Sequence, residues 1–126
     1  MSDSDLTQIT AARLSRLYAK GKVSPVEAMK AVLARTDKAN ARINAFCHVD
    51  AAGALKAARA SEKRWKKNKP LSPLDGIPVS IKELVRVEGW PARMASKLTD
   101  PAAADRDAPV VARLRAAGAI VFAQST

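Results

Sequence analysis

Two short segments carry residues whose types and spacing suit covalent chemistry. The first is Asp75-Gly76-Ile77-Pro78-Val79-Ser80-Ile81-Lys82-Glu83, where a lone lysine leaves an apolar run two residues after a serine. Residues two apart on an extended strand share a face and sit about 6 to 7 Å from each other. A lysine so placed can take a proton from a serine hydroxyl only where burial disfavours its ammonium form. Spacing alone favours the simpler outcome, a long side chain that reaches water. The second segment is Cys47-His48. Neighbouring residues on a strand point to opposite faces, so this pair does not make a thiol–imidazole dyad. One cysteine and one histidine in the whole chain also leave no internal disulfide and no structural zinc site. No metal and no cofactor are expected.

The elements that must position these residues are set by capping signals and proline spacing. Thr10 can cap a helix with Leu14, Leu17 and Tyr18 on one stripe, and Gly21 suits the left-handed turn after it. Ser24-Pro25-Val26-Glu27 is a capping box with proline at the first helical position, opening a second helix that carries Met29, Val32 and Leu33. An antiparallel hairpin of these two helices is expected. After a short extended piece, Cys47 to Val49, Asp50 can cap a third helix to about Lys66 with Ala51, Ala54, Leu55 and Ala58 inward.

Six of the seven prolines follow Lys69, which divides the chain into a helical part, 1–69, and a strand-and-loop part, 70–126. Ile77 to Lys82 alternates like a strand, and Pro78 assigns it to an edge or a strand start. Asp107 can cap a helix over 108–117 presenting Val110, Val111 and Leu114, with Gly118 at its end and a buried strand, Ala119 to Ala123, beyond. Strand, helix and strand in that order predict a βαβ crossover and a parallel pair.

The chain has 126 residues, 48% of them hydrophobic and 27% charged, enough for one folded domain and too short for two. Aromatic residues make up 4%, so the core must be built from Ala, Val, Leu and Ile. The net charge is +10, of which residues 1–69 carry +9. Its densest piece, Lys63, Arg64, Lys66, Lys67 and Lys69, closes the third helix, where cations complement the helix dipole. No recognition motif accompanies it, which argues for a solvated helix end and against nucleic acid as a partner. The segment Met1 to Gln8 holds no apolar run and no stretch approaches a membrane span, so a cytoplasmic protein is expected.

The segment Leu74 to Glu83 resembles the signature of the amidase signature family, a Gly-Ile-Pro-(Val)-x-(Ile/Val)-Lys-Asp/Glu stretch ending in a catalytic lysine. Ser24 to Glu27, Ile43 to Phe46, Gly89 followed by Ser96, and Ala108 to Ile120 agree in order, so the likeness runs from about Leu6 onward. It implies an α/β fold in which N-terminal helices precede the first strands of a mixed sheet, here incomplete, with residues 1–126 as the N-terminal part of a single domain. It also implies cleavage of small carboxylic amides through an acyl-enzyme by a Ser-cisSer-Lys triad. Lys82 matches the catalytic lysine and Ser96 a position near the substrate pocket.

The two serines of that triad belong to a downstream Gly- and Ser-rich segment, and no such stretch occurs before Thr126. A fragment inactive on its own is therefore expected. Pro91 to Ser96 lacks the family's threonine and glycine, and Gln124 stands where lysine is common. Within the family, an A-type subunit of a glutamyl-tRNA amidotransferase is the second reading. Outside catalysis, an assembly module or an RNA-binding module remains open, and an unfinished sheet would allow self-association through its edges.

Overall fold

A computed structural model of the chain describes residues 5–126. Part of the leader reading on Met1 to Gln8 therefore lies outside the described residues. The elements run α1 (Ala11–Ala19), α2 (Pro25–Ile43), β1 (Phe46–Val49), α3 (Ala51–Lys66), β2 (Pro78–Lys82), α4 (Pro109–Ala116) and β3 (Ile120–Ser125). The sheet order is β1-β3-β2, with β1 antiparallel and β2 parallel to the central β3. The fold is thus α/β with a mixed sheet.

Local chemistry accounts for the helix starts. Thr10 Oγ1 accepts from the Arg13 amide at 3.2 Å, and Asp50 Oδ1 accepts from the Gly53 amide at 3.0 Å. The capping box is complete: Ser24 Oγ accepts from the Glu27 amide at 3.1 Å, and Glu27 Oε2 accepts from the Ser24 amide at 2.8 Å. The start of α4 differs from expectation. Its N-cap is Ala108, with Pro109 following and no side-chain cap. Asp107 instead accepts from the Glu88 amide at 2.7 Å and pairs with Arg115 at 3.1 Å, so its carboxylate ties a loop to the end of the helix.

β3 is apolar on both faces, as a central strand must be. Ile120, Phe122 and Ala123 pack with Met29 and Leu33 of α2 and Ala54 and Ala58 of α3. Val121 packs on the other side with Ile81, Val87, Trp90 and Val111. Small residues let α2 and α3 form the closely packed helix pair, which replaces the expected α1–α2 hairpin. α1 joins through Leu14 and Tyr18, which meet Ala28 and Ile77. Two stripe assignments fail for position: Ala51 opens α3 in solvent, and Val110 is exposed beside the buried Val111.

The turn entering β2 is the most heavily tied part of the chain. Arg64 Nε and a second guanidinium nitrogen each donate to Asp75 at 2.7 Å, and the Leu71 amide donates to the same carboxylate at 2.8 Å. Trp65 Nε1 donates to the Asp75 carbonyl at 3.0 Å, and the Tyr18 hydroxyl to the Gly76 carbonyl at 2.9 Å. Burial, with the Asp75 carboxylate nearby, pushes the Tyr18 phenol up, which keeps it a donor. Arg64 is therefore not simply a wet member of the basic run.

Gly76 has φ +83°, and a Cβ there would lie 2.6 Å from Ser61 Oγ and 2.9 Å from Pro25 Cγ. Gly76→Ala is expected to cost about 3 kcal/mol, from the left-handed backbone and the overpacking together. A fall in the urea midpoint at unchanged slope would register it.

Candidate active site

Lys82 ends β2, opposite Ser125 of β3. The Ile120 amide donates to the Ile77 carbonyl and the Glu83 amide to that of Ser125, so odd-numbered residues of β2 bond β3. Ser80 and Lys82 consequently turn their amides toward the open edge of the sheet. Both are exposed, whereas Ile81 between them is buried in the layer facing α4. Lys82 Nζ donates to the Thr126 carbonyl at 3.4 Å, a long and exposed contact. The alternation of β2 sets this arrangement: a one-residue slip would exchange the lysine with Ile81 and carry it into the apolar layer.

Around this strand end the residues diverge. Glu83 is buried at the junction of the strand ends. Burial of the sulfur and the neighbouring Glu83 carboxylate push the Cys47 thiol up, so little thiolate forms near neutral pH. Cys47 Sγ donates to the Gln124 carbonyl at 3.5 Å, while the His48 ring packs on Trp90 with centroids 4.7 Å apart. The two neighbours face different partners and form no dyad.

Ser96 lies in the loop between β2 and α4, half-buried, after Met94 and Ala95 with φ of 51° and 56°. Its amide donates to the Arg93 carbonyl at 2.9 Å, its hydroxyl accepts from the Leu98 amide at 3.1 Å, and its carbonyl accepts from the Thr99 hydroxyl at 2.8 Å. Among the described residues it is bonded within its own loop, with no contact to Lys82.

In the sequence Gln124 stands out only as a departure from the resembled pattern. It is in fact 1% exposed, and its Nε2 donates to the Pro91 carbonyl at 3.1 Å, pinning the neck of the Ser96 loop to β3. Gln124→Ala should cost about 2 kcal/mol by orphaning that carbonyl and leaving a void. Cleavage by a protease within residues 93–104 should also quicken. An unchanged digestion rate would mean that the loop is held elsewhere. Among the described residues no group of three His, Cys, Asp or Glu side chains is placed to hold a metal, and no helix is long and apolar enough to cross a membrane.

A mixed-sheet α/β protein with a lone lysine leaving the end of an edge strand is what fold and site together define. The family model described as Amidase matches residues 27–126, and the chain belongs to that family. It is 40% identical over 121 residues to the A-type subunit of the glutamyl-tRNA(Gln) amidotransferase of Salinispora tropica, covering 96% of this chain and 25% of that protein. The corresponding Myxococcus xanthus protein is 40% identical over 113 residues, covering 90% and 23%. An amidase crystal structure superposes with a TM-score of 0.83 at 32% identity, covering 93% of this chain and 26% of that one. A fatty acid amide hydrolase gives 0.90 at 24% identity over 96% and 21%, a likeness of fold alone. The chain spans about a quarter of the length of the curated relatives it matches.

Proposed function

We propose that these 126 residues supply the N-terminal part of a single amidase-type hydrolase domain that cleaves small carboxylic amides through an acyl-enzyme. Lys82 is its catalytic base, drawing the proton that a bridging serine takes from the nucleophilic serine. Neither serine is assigned to a residue of this sequence. The observation that carries this reading is the placement of Lys82: the last residue of a signature-bearing edge strand, turned away from the core and, among the described residues, engaged only by one long hydrogen bond. Lys82 is exposed among the described residues, and on this reading further polypeptide packs over this end of β2 and covers it.

Ser96 is proposed to border the substrate pocket from its loop. The open edge of β2 supports pairing with further polypeptide, a second copy included. The free Cys47 supports a cytoplasmic location. An A-type amidotransferase component is kept as the second reading because relatives so named reach 40% identity.

The test joins residues 1–126 to the remaining three-quarters of the 32%-identical amidase and follows ammonia release from aliphatic and aromatic amides. Turnover that disappears with Lys82→Ala is expected. A folded chimera with no turnover, or one indifferent to that substitution, would sink the assignment.

A further inference from the structure

We propose that Glu83 is a positioning residue for the proton relay: its buried carboxylate accepts hydrogen bonds from backbone amides of a loop, from the remainder of the domain, that packs over the ends of β2 and β3 and brings a reacting serine to Lys82. The inference rests on the amidase reading of Lys82 and adds a residue to it. Glu83 is 9% exposed, whereas Lys82 before it and Leu84 after it both lie open. Its own amide is bound to the Ser125 carbonyl, which holds the residue where the ends of β2 and β3 meet. Among the described residues no cation pairs with the carboxylate, while Arg35, Arg64, Lys66 and Arg115 each face an acid elsewhere. The Cys47 thiol adjoins it, but a thiol is a weak donor, and this one reaches the Gln124 carbonyl at 3.5 Å. A carboxylate withdrawn from water to this degree is stable only when strong donors take the place of the water.

The chain itself shows which donors suit such a group. Asp50, Asp75 and Asp107, buried or half-buried, each accept from a backbone amide: that of Gly53 at 3.0 Å, of Leu71 at 2.8 Å and of Glu88 at 2.7 Å. Asp75 and Asp107 thereby fasten loops that flank β2. Glu83 has comparable burial without such an amide among the described residues. It stands at the carboxyl end of a parallel strand pair, where loops of α/β folds converge on a site. The exposed Leu84 beside it offers the same loop an apolar contact. Lys82 and Glu83 have Cα atoms about 3.8 Å apart, so a loop fastened to the carboxylate is set in distance from the amine. A displacement of about 1 Å at a reacting centre costs about a hundredfold in rate, which is what this fastening prevents.

The test uses the amidase chimera that carries residues 1–126 and takes two readouts. Glu83→Gln keeps the shape of the side chain but removes its charge and puts an NH2 group where one oxygen accepted. It should lower kcat about a hundredfold with KM changed by less than about threefold. Glu83→Asp keeps the charge on a stem one methylene shorter and should recover kcat to within about tenfold of the parent. The second readout needs no turnover. Cys47 adjoins Glu83, so the docked loop covers both, and native-state labelling of Cys47 by iodoacetamide should be about tenfold faster in Glu83→Gln than in the parent. Peptide mass spectrometry reads that site alone. A merely structural glutamate would lower the urea midpoint and leave both kcat and Cys47 labelling of the folded molecules unchanged, and that result overturns the proposal. So do equal losses of kcat in Glu83→Gln and Glu83→Asp. If Glu83→Gln does not fold, Glu83→Met, close in volume and without charge, takes its place, and full turnover there overturns the proposal as well. A parent chimera that folds without turnover defeats the amidase reading instead, and the labelling comparison still decides whether a loop docks on Glu83.

Discussion

Replacing Arg64 by methionine is expected to destabilise the fold by about 3 kcal/mol, because it leaves the Asp75 carboxylate buried without its cation. The magnitude sits at the low end for such a loss since the Arg64 side chain keeps 31% of its exposure, whereas Asp75 has none. Asp75→Asn should cost less, because the neutral amide retains an acceptor for Leu71 and Arg64 and strands no buried charge. The pH dependence separates the two influences on the carboxyl. Burial pushes Asp75 up, but the Arg64 hydrogen bonds and the Leu71 amide outweigh it and hold the group below the usual carboxylate range. The contribution is therefore complete above the unfolded value near 3.9 and is lost as pH falls through the lower folded value. With Arg64 gone, burial dominates and raises the folded value, so stability from this site should instead decline as pH rises through the carboxylate range. Urea unfolding from about pH 3 to pH 7 reads both profiles. Parallel profiles would mean that Arg64 does not set the ionisation of Asp75.

That ion pair also shows where a linear sequence stops being informative. Ser24 and Glu27, Thr10 and Asp50 announce their helices because each cap closes within three residues, and such chemistry is visible in the string itself. The alternation of Ile77, Val79 and Ile81 likewise gives the edge strand and the side on which Lys82 emerges. Arg64 meets Asp75 across eleven positions and a turn, and nothing in a run of five cations marks the one that will be paired. Asp107 looks like a cap for the same reason: its actual partners, Glu88 and Arg115, become neighbours only after β2 and α4 have packed. The choice of α3 as the partner of α2 depends on Ala54 and Ala58 meeting Met29 and Leu33 over β3, a contact between distant segments. At the candidate site the lysine is legible from its strand, but Gln124 and Glu83 are not, since their work depends on three strand ends converging.

The largest expected effect on activity is at Lys82, and it should come with almost none on stability. The side chain is exposed and makes one 3.4 Å hydrogen bond to the Thr126 carbonyl, so Lys82→Ala should change unfolding free energy by less than about 0.5 kcal/mol. In the amidase chimera the same substitution should lower kcat about a thousandfold, within the range that a positioned base contributes. Lys82→Arg keeps the charge and much of the stem, yet it should be as inactive, because a guanidinium does not give up its proton in a protein. Rescue by arginine would show that Lys82 acts through charge alone and would remove the proton-relay role. Ser80 supplies the complementary test. It is exposed beside Lys82 on the same strand, so a local serine–lysine dyad would require it, whereas a relay through two other serines would not. Ser80→Ala should therefore retain most of the turnover. If it abolished activity as completely as Lys82→Ala, the two residues of β2 would be acting as a pair, and the lysine's client would be its own neighbour rather than a serine from elsewhere in the domain.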